Sequence, residues 1–213
     1  MSAICIMGES GSGKTTSLRN LDPKTTCIVD ADKKGLPWKG WKDSYSTEKK
    51  NYVKTDFASV ALQYLQKVNT EEKFKHIKVF VVDTVNGLMI ADEMRRSKEK
   101  TYDKWQDLAQ SIYDLVDYAL TVRDDLTVIF VAHTQTDHDD NGYLWTRIKT
   151  SGRKLDKIVL ESKFSTVLLA KCVDGKYIFE TQSKFSTAKS PMGALEPEVE
   201  NDMAKVLEAL KEY

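Results

Sequence analysis

The sequence predicts an α/β fold built on a mainly parallel sheet, and three observations carry that expectation. Four short apolar runs have the length and β-branched content of strands buried on both faces. Helical periodicity fills the intervals between them, which is the arrangement of βαβ units. A glycine-rich segment, MGESGSGKTT at residues 7–16, follows the first run directly.

The runs are AICIM (3–7), TTCIVD (25–30), IKVFVVD (77–83) and LTVIFVA (126–132). The clearest helix spans about Lys104 to Asp124, where Trp105, Leu108, Ala109, Ile112, Leu115, Val116, Ala119 and Leu120 recur at helical spacing. Those side chains read as core. After Ser151 the character changes. SGRKLDKIVLES predicts a short helix opened by Ser151, and KFSTVLLAKCV and KYIFET flank Asp174-Gly175, a two-residue hairpin signal. EPEVENDMAKVLEALKEY predicts a closing amphipathic helix. With no repeat, low-complexity segment or linker, residues 1–213 read as one domain, its parallel core extended by a C-terminal antiparallel hairpin.

Composition bounds the function. A hydrophobic fraction of 41% with 30% charged residues is ordinary for a globular chain. The 32 basic and 32 acidic residues cancel, so any nucleic-acid contact needs a local basic patch. Cys5, Cys27 and Cys172 form no C-x-x-C pair; the first two fall in strand runs and read as small core residues of a reducing compartment. The chain opens on a strand without the pattern of a secretory leader, and no apolar run reaches about 18 residues. The expectation is no membrane association and a cytoplasmic location, the host cytoplasm if the chain is phage-encoded.

Gly8-Glu9-Ser10-Gly11-Ser12-Gly13-Lys14-Thr15 fits G-x-x-x-x-G-K-[ST] at every fixed position. Glycines let successive N–H groups turn inward around phosphates, and the helix expected from Thr16 onward adds its positive end. Lys14 is expected to reach the β- and γ-phosphates, and the Thr15 hydroxyl to bind Mg²⁺. Chance supplies such a match in about one chain in a hundred of this length. Asp83 ends the run IKVFVVD, at the carboxyl edge beside the loop, where an acid holds Mg²⁺ through its water shell. The plain alternative for such an aspartate is a helix N-cap.

Three phosphate-loop classes compete. A GTPase needs D-x-x-G, but Asp83-Thr84-Val85-Asn86 puts Asn86 where the glycine belongs; Thr134-Gln135-Thr136-Asp137 lacks the lysine of the guanine-reading motif. A small-molecule or nucleotide kinase would use residues 134–154 as its lid, with Arg147 and Arg153 closing on the phosphates. The third class, RecA-like ATPases, fits best.

IVDADKKGL, VFVVDTVNGL and VIFVAHTQ, in this order, resemble the core motifs of the RecA/RadA recombinase superfamily. The compact layout is most similar to the phage RecA-like annealing and recombination ATPases, a group of AAA-type ATP-binding proteins. The likeness covers residues 3 to about 190. It implies a RecA-like P-loop fold, ATP and Mg²⁺ as cofactors, and hydrolysis coupled to single-stranded DNA in recombination or annealing. It also implies self-association into a filament or ring. By position, Asp32 falls on the superfamily's catalytic glutamate, which orients and deprotonates the attacking water. Its side chain is one methylene shorter; Asp30 is the second candidate, and both otherwise read as acids capping a turn. His133 falls on the γ-phosphate sensor. Alternatives are a buried histidine satisfied by a carbonyl, or a metal ligand with Asp137 and His138, whose spacing matches no strong pattern. Lys189, or else Lys184, falls where the family offers a cation to a neighbour's nucleotide; the plain reading is two surface lysines.

After His133, TQTDHDDNGYLWTRIKTSGRK interleaves Tyr143 and Trp145 with Arg147, Lys149, Arg153 and Lys154. Aromatics that stack on bases and cations that track phosphates are what single-strand binding needs, and in the resembled family the DNA-binding loop follows the sensor. Asp137, Asp139 and Asp140 weigh against it, and Asn141-Gly142 suggests a solvated hairpin, which can also carry the contacts. KKGLPWKGWK (33–42) is a second basic-aromatic stretch, open among DNA contact, protomer contact and a tryptophan-anchored loop. A nucleotide switch with little turnover stays a third functional possibility, and no motif identifies the base.

Overall fold

The computed structural model describes residues 3–99, 103–138, 142–150 and 159–213. Its nine-stranded sheet runs β3 (Tyr52–Lys54), β2 (Thr26–Asp30), β4 (Val79–Asp83), β5 (Thr127–His138), β1 (Ala3–Gly8), β7 (Thr166–Val173), β8 (Lys176–Glu180) and β9 (Glu198–Glu200), with β6 (Leu144–Ile148) paired off this path to β5. The strands from β3 to β7 in that order are parallel; β8, β9 and β6 are antiparallel. The fold is therefore α/β with a mainly parallel sheet and an antiparallel hairpin, as the sequence predicts.

The four apolar runs become β1, β2, β4 and β5 because each buries side chains on both faces. A single turn, α1 (Trp41–Ser44), lies between β2 and β3 in the chain. Met7, Val29, Val82 and Ala132 face one layer, with α2 (Ala58–Thr70), α3 (Val85–Arg95) and α4 (Asp103–Ala119). Ile6, Ile28, Val81 and Val131 face the other, with Leu18, Leu36 and α5 (Met203–Ala209). In α4, Leu108, Ile112, Leu115 and Val116 are buried, and about 1.5–3 kcal/mol per such side chain holds the helix to the sheet. Cys5 and Cys27 are fully buried core residues, while Cys172 is exposed.

Register positions the site. Gly8 lies opposite His133, Asp30 opposite Asp83, and Asp83 opposite Val131, so the carboxyl ends of β1, β2, β4 and β5 converge on one edge. In open α/β sheets that edge is where ligands bind.

Several elements differ from expectation. The segment after the glycine-rich loop is a 3-10 helix, Thr16–Asn20, rather than an α-helix. β5 continues to His138 because its last residues leave the parallel ladder and pair with β6, Thr134 with Ile148 through His138 with Leu144. α4 stops at Ala119: the next turn tightens through Thr121 N–H to the Tyr118 carbonyl, and Asn69 Oδ1 takes the Arg123 N–H at 2.8 Å. The closing helix shrinks to Met203–Ala209 since Glu198–Glu200 pairs with β8 and Asp202 caps the Ala204 N–H at 3.0 Å. The Asp174-Gly175 hairpin forms, with φ of 51° and 77°, but β7 also pairs with β1 and so belongs to the core. The helix expected from Ser151 lies largely outside the described residues. Among those described, no helix is long and apolar enough to cross a membrane.

Candidate nucleotide site

The glycine-rich loop closes tightly on the end of β1. A Cβ on Gly8 would sit 2.5 Å from Ser12 Oγ and 2.7 Å from the Ala170 carbonyl, so only glycine fits against β7. Gly11 and Gly13 hold φ of 80° and 89°, left-handed values that turn the backbone around the loop. Lys14 is buried, and its Nζ donates to the carbonyls of Gly8 at 2.8 Å and Glu9 at 2.7 Å. Burial lowers its pKa to about 8, with the Asp83 charge opposing.

Thr15 Oγ1 donates to Asp83 Oδ2 at 2.9 Å. The second oxygen, Asp83 Oδ1, is buried without a hydrogen-bond partner. Burial raises the carboxyl to about 6, while the Thr15 hydrogen bond opposes the rise. An orphaned carboxylate oxygen next to a threonine hydroxyl is the oxygen-rich donor set that Mg²⁺ accepts, so these residues fit the ion. The N-cap alternative for Asp83 fails: the cap of α3 is Thr84, whose hydroxyl accepts the Gly87 N–H at 2.9 Å.

The two acids that the sequence left open separate clearly. Asp30 is buried, and its Oδ2 accepts the Gly35 N–H at 2.8 Å and the Tyr52 hydroxyl at 2.5 Å. It builds a turn. Asp32 stands at the edge with Oδ1 accepting the Thr84 hydroxyl at 3.2 Å and Oδ2 accepting Lys34 Nζ at 2.7 Å. A Cβ on Gly87 would lie 2.3 Å from Asp32 Oδ1, so the glycine makes room for this carboxylate.

A cavity of about 470 Å³ opens beside the loop, lined among others by Lys14, Thr15, Thr16, Lys34, Thr84 and His133. Ser10, Gly11 and Gly13 complete the loop side, and Tyr177 of β8 closes one flank. His133 thus faces the phosphate loop. Burial first, then the Lys14 charge, holds its imidazole below the ordinary histidine range, so it is neutral at pH 7 and able to donate one hydrogen bond. The metal reading of His133 gains nothing. Among the described residues no group of three His, Cys, Asp or Glu could hold an ion; Asp137 pairs with Arg147, and His138 Nδ1 contacts the Gly142 carbonyl at 3.0 Å.

Sequence reasoning missed two connections. The Asn86 side chain, 3% exposed, accepts the His133 N–H at 2.7 Å and donates to the Lys149 carbonyl at 2.8 Å, clamping α3 to the base of β6. Thr134 Oγ1 donates to Glu9 Oε1 at 2.9 Å, joining β5 to the loop. No local pattern marks either, since each spans distant parts of the chain.

The basic-aromatic segment forms an arm. Tyr143 and Leu144 are exposed, Lys149 is exposed, and Trp145 and Arg147 share one face with Gln135 and Asp137. Arg147 Nε pairs with Asp137 Oδ2 at 3.0 Å. Arg153 and Lys154 lie outside the described residues. Trp38 and Trp41 pack on Tyr45 and Tyr52 with ring centroids 6.2 and 5.1 Å apart, so the 33–42 stretch is a tryptophan-anchored loop. Lys184 pairs with Glu198 at 3.1 Å; Lys189 pairs its backbone with Val167, level with Cys5 and away from the cavity.

A family model described as an AAA domain matches residues 2–193. No curated protein matches the chain.

Proposed function

The chain belongs to the AAA-domain family, which suggests nucleotide binding and hydrolysis, and from that premise we propose a magnesium-dependent ATPase that acts on single-stranded DNA in recombination or annealing. The observation that supports this most is the contact between Thr15 and the half-satisfied Asp83 beside buried Lys14. Thr15 and Asp83 would hold Mg²⁺, which when bound neutralises phosphate charge. The loop N–H groups from Gly8 to Thr16 cradle the phosphates, and Lys14 exchanges its two carbonyl partners for phosphate oxygens. Asp32 accepts a proton from the attacking water, whose oxygen bonds to the γ-phosphorus as the bond to ADP breaks. Neutral His133 donates to the γ-phosphate. Thr134 joins its strand to the loop. Asn86, bonded to the His133 N–H and the Lys149 carbonyl, carries the nucleotide state to the arm, where Tyr143, Trp145, Arg147 and Lys149 meet DNA, with Arg153 and Lys154 further along the chain.

A nucleotide switch with little turnover is the second reading, favoured by the double engagement of Asp32. Phosphate release is measured with and without single-stranded DNA, beside a sizing experiment and the Lys14→Ala variant. Expected are stimulation by DNA, assembly into a filament or ring, and loss of turnover in the variant by about 100-fold or more. Tight ATP binding without turnover would select the switch, and ADP formation driven by a small acceptor and indifferent to DNA would select a kinase.

A further inference from the structure

The cavity contains a second lysine that lies outside the loop motif. Lys34 lines it together with Lys14, Thr15, Thr84 and His133, and donates to Asp32 at 2.7 Å. The backbone presenting it is strained. Lys33 and Gly35, on either side, hold φ of 59° and 82°, and a non-glycine residue keeps such a value only where its surroundings impose it. Here the Gly35 N–H is bound by buried Asp30, itself bound by Tyr52, and Lys33 is drawn outward to Asp56 at 2.8 Å. The turn sends one lysine away from the cavity and the next into it.

We propose that Lys34 is a catalytic residue acting within its own chain, resting on the ATPase reading above. When a triphosphate binds, the ammonium leaves Asp32 for the γ-phosphate oxygens. It supplies positive charge where charge builds as the γ-phosphorus parts from the bridging oxygen, whose electron pair departs with ADP. Asp32, released, takes the water proton as the new P–O bond forms. Without a triphosphate, the lysine masks the base. This gives the site a cation from its own chain.

The test uses the full chain and its Lys34→Ala, Lys34→Gln and Lys34→Arg variants. Affinity is measured for ADP and for a nonhydrolysable ATP analogue with Mg²⁺, turnover by phosphate release, and folding by thermal melting. For Ala and Gln the expected result is an unchanged melt, ADP affinity within about twofold, a roughly tenfold smaller preference for triphosphate, and turnover lower by about 100-fold. Arginine should restore the preference, since it keeps the charge. Wild-type turnover in Lys34→Ala, or equal loss of both nucleotides, overturns the proposal. A wild-type chain that binds the analogue without hydrolysing it overturns the ATPase reading and with it the catalytic role of Lys34, and the triphosphate preference then tests only the Lys34–γ-phosphate contact. Wild-type hydrolysis retained in full by Lys34→Ala overturns the Lys34 proposal and leaves the ATPase reading standing. A wild-type chain that binds neither nucleotide overturns both.

Discussion

The nucleotide cavity and the hairpin arm share strand β5, yet different physics holds them. In and around the cavity the polar groups are buried, and each is hydrogen-bonded to its surroundings: Lys14, Asp30, Asp83 and Asn86 are each at most 5% exposed. Removing one partner there leaves a desolvated group, a cost of about 1–3 kcal/mol. The arm rests on the β5–β6 ladder, on a bridge from Thr146 to Ser186, and on the Arg147–Asp137 pair, whose side chains are 29% and 47% exposed. Such a pair contributes about 0–1 kcal/mol. Burial therefore fixes the groups around the cavity, while the arm can give up its ion pair at small cost.

The largest expected contrast is with pH. On the proposed reading Mg²⁺ requires Asp83 ionised, and this carboxyl holds its proton up to about 6. Phosphate requires Lys14 charged, and this amine loses its proton above about 8. Since the acid is raised and the base lowered, Mg-nucleotide affinity should peak between those values and fall by up to about tenfold per pH unit on either side. DNA binding by the arm without nucleotide should stay flat over the same window. Titrations with a fluorescent analogue and with labelled DNA compare them; a flat nucleotide profile would break the contrast.

A smaller effect is expected from Asn86→Ala, which removes the clamp between His133 and Lys149. Thermal unfolding should register a loss of about 1–3 kcal/mol, and DNA should stimulate turnover less than in the parent. Full stimulation would mean that cavity and arm communicate by another route. The smallest change belongs to Arg147→Ala with Lys149→Ala. DNA affinity should weaken, with the slope of log affinity against log salt reduced by about 1.4 for a single strand, while basal turnover stays unchanged.

How much was legible follows from the range of the interactions involved. The phosphate loop, Asp83 and the four core strands are local patterns: a fixed spacing of glycine, lysine and hydroxyl, or an unbroken apolar run. Their placement was readable because backbone geometry and burial act over a few residues. The three-residue strands β3 and β9 carry no such signal. Their pairing comes from the neighbouring strand. The end of α4 was misread for the same reason, since Asn69, far away in sequence, supplies the bond that accompanies its termination.

Taken by itself, the chain's order of residues placed a phosphate-loop pattern directly after the first strand, with an acid at the edge of a parallel sheet. Only the tertiary structure bound Asp30 into a turn and left Asp32 beside the cavity, brought Lys34 to its lining, turned Trp38 and Trp41 into anchors, and tied His133 to the arm through Asn86. The physical reason is that motifs specify which groups are available, whereas hydrogen-bond partners and burial depend on which distant strands fold side by side.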